Sequence, residues 1–197
     1  MITASRQEFD AYLEQKKGAL STAIHDLWDG RDPELWSRDP HFYIRLGELA
    51  DKTGQAMFAH DVLQEGHERC PQDLRLQHLY CLSLIKCGFL AKARELLAAL
   101  VDQGNLDEET LGILGRVYKE MWLIESDAAP GHPYLHRSRR LYLKAFSGSR
   151  GNYSGINAAS LSLMMGDEAT ARKLARLVVR ICQECLERDA ERDYWIL

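Results

Sequence analysis

Proline, cysteine and long apolar runs are all scarce in this sequence. Its 197 residues include only five prolines and five cysteines, and an odd number of cysteines does not indicate a disulfide framework. No apolar run approaches the roughly 20 residues that a membrane-spanning helix needs. Residues 1–17 lack the apolar core of a signal peptide. We therefore expect a cytoplasmic protein with reduced thiols and no membrane contact.

Catalytic motifs and a strong charge imbalance are absent as well. The sequence contains no GxSxG, HExxH, kinase or Walker-type signature, so we expect no enzymatic activity and no cofactor. The formal net charge of −4 gives no reason to expect general affinity for nucleic acids. Alanine, leucine, glutamate and arginine are abundant instead, and these residues favour helices.

Similar residues recur every 34 positions through the middle of the chain. Small residues align in some columns and large apolar residues in others, as closely packed helix pairs require, while two columns mix the two sizes. The aligned sets are Leu46, Tyr80 and Leu114; Gly47, Cys81 and Gly115; Ala50, Leu84 and Tyr118; Gly54, Gly88 and Trp122; Ala59 and Ala93; and Leu63 and Leu97. A period of 34 residues is that of tetratricopeptide (TPR) repeats, which are pairs of antiparallel helices.

This period predicts an all-α, TPR-like α-solenoid, a right-handed superhelix of antiparallel helix pairs. Residues 5–29 are predicted as one amphipathic helix that caps the stack, and the third repeat carries an insertion near 124–134. The apolar run LSLMM at 161–165 is predicted to be core. The expected parts of a single domain at 1–197 are a cap at 1–39, repeats at 40–73, 74–107, 108–151 and 152–189, and the start of a further helix at 190–197.

Three stretches in the second half of the chain resemble one particular family. They are ETLGILGRVYKEMW at 109–122, YSGINAASLSLMMGDEATARKLA at 153–175 and DYW at 193–195. They are similar to the TRAF-binding domain, the TPR-containing regulatory region of apoptosis signal-regulating kinases, and to its bacterial relatives. The resemblance implies a non-catalytic regulatory module joined to an effector. For the bacterial relatives it implies the sensing of nucleotide-derived signals in defence systems.

A candidate anion site lies where the third and fourth repeats meet. Arg116 and Lys119 share one helix face because they lie three residues apart. The glycine-rich stretch SGSRGNYSGINAAS follows and adds Arg150, Tyr153 and Asn157. Arginine binds phosphate or carboxylate through paired hydrogen bonds, and a helix N-terminus attracts anions. The first helices of successive repeats are expected to line a concave groove. The predicted ligand-binding residues of this groove are Arg116, Lys119, Arg150, Tyr153 and Asn157.

Plainer interpretations of these residues stay open. The glycines of the stretch also serve as a joint between repeats, and Arg116 and Lys119 also fit ion pairs on a solvated helix face. The pairs Cys182 with Cys185 and His132 with His136 lack the further ligands that a zinc site needs, so we expect no metal. Two basic stretches likewise fit solvated faces as well as phosphate contacts: 136–140 and 172–180.

Two functions from different classes fit these features. The first is a non-catalytic regulatory or scaffold module of TPR type that binds a protein or peptide partner in signalling. The second is a sensor domain that binds a nucleotide-derived anionic small molecule in the concave groove and controls an associated effector. Neither function requires a particular oligomeric state.

Overall fold

The computed structural model describes residues 5–125 and 129–188, and within them the chain is helical with no strand. The helices form two compact units, one ending at Phe89 and the other starting at Leu90. Residues 190–197, where the sequence predicts the start of a further helix, lie outside the described part. The α-helices are α1 (Arg6–Gln15), α2 (Leu20–Asp29), α3 (Pro33–Ser37), α4 (His41–Lys52), α5 (Ala56–Arg69), α6 (Leu74–Lys86), α7 (Leu90–Asp102), α8 (Glu108–Ile124), α9 (Pro133–Ser149), α10 (Asn152–Met164) and α11 (Glu168–Arg188).

The segment 5–29, which the sequence predicts as one helix, consists of two. α1 ends at Gln15, α2 begins at Leu20, and a single 3₁₀ turn over Lys17–Ala19 separates them. Gly18 lies in this turn, and glycine is among the least favourable residues inside an α-helix. The prediction of one continuous helix is therefore wrong.

Aromatic rings fill the core of the first unit. Phe9 from α1, Trp36 from α3, and Phe42 and Tyr43 from α4 are each at most 1% exposed. The rings of Trp36 and Phe42 stack with their centroids 5.4 Å apart, and Phe9 meets Phe42 edge-on at 5.3 Å. Such ring pairs stabilise a core beyond the area they bury. They hold the N-terminal helices against α4, the first helix of the first pair.

Glycines in the small-residue column let paired helices approach closely. A Cβ on Gly47 of α4 would lie 2.6 Å from the side chain of Leu63 on α5. A Cβ on Gly115 of α8 would lie 3.0 Å from the ring of Tyr142 on α9. Both distances are well below the separation at which carbon atoms attract each other. Gly47 and Gly115 lie two repeat periods apart in the sequence. The same close contact between the two helices of a pair thus recurs at the repeat interval, once within each unit.

The helix ends recur at the same interval. Gly54 and Gly88 follow the first helix of a pair with φ angles of 78° and 84°, a left-handed conformation that glycine adopts without strain. Asp73 and Asp107 precede the first helix of the next pair, and each side chain accepts a hydrogen bond from the backbone N–H three residues later. These stop and start signals explain why each helix pair begins and ends where it does.

The second unit packs α8 on α9, α9 on α10 and α10 on α11. Large side chains from α8, α9 and α11 meet the small residues of α10. The main buried members of this core are Trp122, Leu135, Tyr142, Phe146, Ala158, Ala159, Leu161, Leu174 and Val178. Among the described residues, no helix has both the length and the apolar character that a membrane span would require.

Candidate functional site

The predicted site lies in the second unit, where α8 and α10 meet. Each is the first helix of its pair, and a hydrogen bond between Lys119 of α8 and Asn157 of α10 joins them. Arg116 lies on the same side of α8 as Lys119, and Tyr153 lies one turn before Asn157 on α10. We define the α8–α10 face by Gly112, Arg116 and Lys119 from α8 and by Tyr153 and Asn157 from α10.

Lys119 is a partly buried cation whose hydrogen-bond partner is neutral. Its Nζ donates to Asn157 Oδ1 at 3.1 Å, and Asn157 Nδ2 donates to the backbone oxygen of Tyr153 at 2.9 Å. Burial lowers the pKa of Lys119, while the Glu120 carboxylate raises it and the Arg116 guanidinium lowers it. The charged form of Lys119 is thus less favourable than that of an exposed lysine, and a bound anion would stabilise it.

Arg116 retains hydrogen-bonding capacity for a ligand. Its side chain is 31% exposed, and its Nε lies 3.7 Å from Glu120 Oε1 on the same helix. That distance is too long for a hydrogen bond, although it permits electrostatic attraction. The guanidinium N–H groups therefore remain available beside Lys119.

Tyr153 presents a ring that is held in place without being covered. The side chain is 50% exposed. Its hydroxyl lies 3.4 Å from that of the buried Tyr142, and the two rings meet edge-on with centroids 6.0 Å apart. Gly112 has no side chain at this point, and a Cβ there would lie 3.6 Å from Tyr153 Cε1. Gly112 is buried, so its missing side chain lets the Tyr153 ring pack close to α8 while the rest of the ring stays exposed.

Arg150 does not join the other four predicted residues. It is the C-cap of α9 with a φ of 55°, and its backbone N–H donates to the oxygen of Phe146 at 2.9 Å. Its exposed side chain makes no hydrogen bond or ion pair with any residue that the structure describes. The structure therefore brings together Arg116, Lys119, Tyr153 and Asn157, and their role in binding stays a prediction.

The start of α10 already holds an anion that the chain itself supplies. The carboxylate of Glu108, in the first turn of α8, lies beside Gly151, the N-cap of α10, and a Cβ on Gly151 would overlap it. Ser154 Oγ donates to Glu108 Oε1 at 2.5 Å. A helix N-terminus favours negative charge. The glycine-rich stretch thus forms a joint in which Gly151 leaves room for the Glu108 carboxylate. The sequence spacing alone did not reveal this contact.

Apolar side chains extend the face along α10. Ile156, Leu163 and Met164 are 47%, 59% and 50% exposed, and their spacing places them on the same side of the helix as Tyr153. The prediction that the whole run LSLMM is core is wrong. Leu161 is buried, but Leu163 lies on the opposite side, because a helix turns through about half a revolution in two residues, and Met164 is exposed as well. Counted from the start of each 34-residue repeat, both residues fall at positions expected to face the groove lined by the first helices, and this was the signal that pointed to their exposure.

The corresponding positions of the first unit carry ion pairs instead. Arg75 Nη2 lies 2.9 Å from Glu48 Oε1, and Lys86 Nζ lies 2.5 Å from Asp51 Oδ1. These pairs join α6 to α4 in the way that the Lys119 contact joins α8 to α10. Opposite charges compensate each other in the first unit, whereas the Nζ of Lys119 has no carboxylate at ion-pair distance among the described residues.

No group of three or more His, Cys, Asp or Glu side chains in the described ranges is placed to hold a metal ion. Burial raises the pKa of the Cys81 thiol to about 12, and it also raises the pKa of Cys70 and of Cys87. These thiols are protonated at neutral pH and correspondingly unreactive.

Comparison with solved structures identifies the fold. TTC0263, a thermophilic TPR protein of Thermus thermophilus, matches with a TM-score of 0.64 over 72% of this chain and 73% of its own, at 17% identity. MamA (41-end) of Desulfovibrio magneticus RS-1 matches with a TM-score of 0.63 over 96% of this chain and all of its own, at 14% identity. A MamA RS-1 double mutant gives a TM-score of 0.66 at 16% identity, over 96% of this chain and all of its own. The predicted all-α, TPR-like α-solenoid is confirmed.

The family follows from a match to the sequence itself. The model of the Tetratricopeptide Repeats-Sensor family matches residues 55–162, which is more than half of the chain. The chain belongs to this family. The matched range contains every residue of the α8–α10 face. No curated protein matches the chain.

Proposed function

We propose that this chain is a non-catalytic regulatory module that binds a protein partner in signalling, and that its α8–α10 face contacts an anionic segment of that partner. TPR-type folds offer extended surfaces for protein interaction. The observation that supports this particular face is Lys119, a partly buried cation with a neutral partner.

Desolvation of Lys119 favours an anionic ligand. A charge removed from water is costly unless an opposite charge compensates it. Asn157 supplies a hydrogen bond to Lys119 but no compensating charge. A carboxylate placed between Lys119 and Arg116 would provide the missing charge and would accept hydrogen bonds from both side chains.

The apolar side chains of α10 favour a polypeptide as the ligand. Ile156 lies three residues after Tyr153 and Met164 lies seven after Asn157, so both exposed side chains continue the α8–α10 face along α10. A peptide combines a carboxylate with apolar side chains in one segment and so matches both parts of the face, as protein interfaces commonly do.

Two finer points belong to the same proposal. We place the chain among the relatives of the TRAF-binding domain, on the motifs at 109–122 and 153–175. We also propose a cytoplasmic location, since all five cysteines are free thiols in the structure.

Fluorescence anisotropy tests the peptide proposal. The probe is a labelled eight-residue peptide with capped ends that carries one Asp among Leu and Ala residues, and its control has Asn in place of Asp. We expect Lys119→Met to weaken binding of the Asp peptide by about tenfold, as loss of a charged hydrogen bond does. Lys92→Met removes an exposed lysine of α7 and should bind as the wild type does. Equal affinity of the wild type and Lys119→Met for the Asp peptide would contradict the proposal.

A second function, the sensing of a nucleotide-derived anion, is favoured by the exposed ring of Tyr153 beside Gly112. A base could stack on this ring while Arg116 and Lys119 contact phosphate groups. The family description also names a sensor. A thermal-shift assay with ADP-ribose separates the two functions. A ligand at 100 times its Kd adds about 2.7 kcal/mol to the free energy of unfolding. If ADP-ribose raises the melting temperature of the wild type but not of Arg116→Ala, the sensor function is supported in place of the peptide proposal.

A further inference from the structure

Exposed positions of α9 and α11 concentrate positive charge that the proposed function does not use. α9 contains four arginine and lysine residues and no aspartate or glutamate, and the same holds for residues 169–183 of α11. The chain as a whole has a net charge of −4. We define the outer basic surface by the exposed cations of these segments: Arg137, Arg140, Lys144, Arg172, Lys173, Arg176 and Arg180.

Most of these cations have no carboxylate beside them. Arg172 Nη2 lies 2.7 Å from Glu168 Oε2, and the Arg137 guanidinium lies 5.6 Å from the ring centroid of Tyr118. The other five cations make no ion pair with any residue in the described part of the chain. Their charge is therefore available to a partner.

Arg139 connects the two basic helix faces. Its Nη2 donates to Asp167 Oδ2 at 2.5 Å, directly before the start of α11, and its Nε donates to Ser162 Oγ of α10 at 2.9 Å. Both α9 and α11 pack on α10. The middle of α9 thus lies beside the beginning of α11, so the cations of the two helices belong to one surface.

Side chains of α9 and of α11 also line one shallow, open depression each, and both linings contain cationic and apolar groups. The α11 depression has a volume of about 410 Å³ and the α9 depression about 330 Å³. Leu177 lies among the cations of the first and Leu143 among those of the second. Val179, close by on α11, is 55% exposed. Each depression is mainly cationic with one partly buried leucine, and a polypeptide that carries acidic side chains beside apolar ones matches this composition.

The spacing of three arginines fits an extended chain. Arg172, Arg176 and Arg180 follow one another at intervals of four residues, which is about 6 Å along a helix axis. Alternate side chains of an extended polypeptide are about 6.6 Å apart. Carboxylates at alternate positions of a bound strand would therefore meet successive arginines.

We infer that the outer basic surface binds an extended, Asp- or Glu-rich segment of a protein. Charge complementarity supplies the attraction, and the apolar walls at Leu143 and Leu177 favour a polypeptide over a phosphate backbone. This surface is separate from the α8–α10 face, so an experiment that disproves binding at one surface does not disprove binding at the other.

Anisotropy with three probes tests this inference. The probes are a labelled twelve-residue peptide that alternates Glu and Val, a twelve-residue oligothymidine, and vesicles that contain phosphatidylserine. We expect the peptide to bind more tightly than either alternative, and its affinity to fall as salt is added. The triple variant Arg172→Gln, Arg176→Gln, Arg180→Gln should weaken peptide binding by about tenfold, the sum of three exposed ion pairs.

The control removes the same number of positive charges from the first unit, through Arg38→Gln, Lys52→Gln and Arg69→Gln, all at exposed positions. It should bind the peptide as the wild type does. Thermal melting checks that both triple variants remain folded. Failure of the peptide to bind, equal losses in both triple variants, or tighter binding of the oligothymidine or the vesicles would overturn the inference.

Discussion

Glu108 and Gly151 depend on each other. The carboxylate of Glu108 occupies the space that a side chain at position 151 would need, and Ser154 donates a hydrogen bond to that carboxylate at 2.5 Å. The joint between the third and fourth repeats thus places the Glu108 carboxylate where glycine leaves room for it, in contact with Ser154.

Gly151→Ala should destabilise the protein by about 0.5–1.5 kcal/mol, because the new methyl group displaces the end of the Glu108 side chain from the start of α10 and removes its hydrogen bond with Ser154. Urea denaturation measures the loss. Gly148→Ala is the matched control, since nothing lies within 4 Å of a Cβ at that helical position. The control should be as stable as the wild type or slightly more so. Equal destabilisation by both substitutions would show that the Glu108 contact is unimportant.

The two faces of α10 should respond differently to the same change. Leu161→Ser should cost about 2–5 kcal/mol because Leu161 is 1% exposed, whereas Leu163→Ser should change stability by less than about 0.5 kcal/mol because Leu163 is 59% exposed. Leu163→Ser should nevertheless weaken binding of the Asp peptide. Thermal melting and anisotropy measure the two effects. A large stability loss from Leu163→Ser would place that residue in the core after all.

The repeat architecture was predictable because each of its signals is local. Gly54 and Gly88 end helices through their own φ angles, and Asp73 caps a helix that begins at the next residue. Gly47 marks a contact that recurs with the period. One local signal was missed, since Gly18 falls within an apolar pattern that otherwise continues through it.

The site was less predictable because its contacts join distant parts of the chain. The Glu108 carboxylate meets Gly151 only after α8, α9 and α10 have packed, so no local pattern indicates it. Arg150 neighbours Tyr153 in sequence, yet its side chain makes none of the contacts of the α8–α10 face within the described residues. The Lys119 contact with Asn157 was foreseeable from the repeat register, which places both residues on first helices.

Lys119→Met should make the protein more stable while it weakens anion binding. Burial holds the pKa of Lys119 below its ordinary value of 10.5, so the folded state disfavours the charged form. Between the lowered and the ordinary pKa the unfolded state binds more protons, and wild-type stability therefore gains from a rise in pH across this window. The variant should lack that gain. Urea denaturation at a series of alkaline pH values, with Lys92→Met as the control, measures the difference; a loss of stability in Lys119→Met would contradict this explanation.

Asp39 should make stability sensitive to acid. Arg6 Nε and Nη2 donate to its two oxygens at 2.6 and 2.7 Å, and this pairing lowers the pKa of Asp39 below its ordinary value of 3.8. The stabilisation is complete above the ordinary pKa and is lost as pH falls through the lowered one. Arg6→Gln should reduce the acid-induced loss, whereas Arg38→Gln, at an exposed neighbour, should not. Identical acid denaturation curves for the wild type and Arg6→Gln would show that the pair contributes nothing.

The central claim is that Lys119 is a desolvated cation that awaits an anion, and an NMR titration of the lysine side chains tests it most directly. The chain contains eight lysines, and ¹³C labelling of their Cε atoms, with Lys119→Met to assign the signal, follows each ammonium group separately. We predict that Lys119 titrates at a lower pH than exposed lysines do, and that saturating Asp peptide raises its pKa towards theirs. A Lys119 signal that titrates with the exposed lysines and does not respond to the peptide would contradict the account.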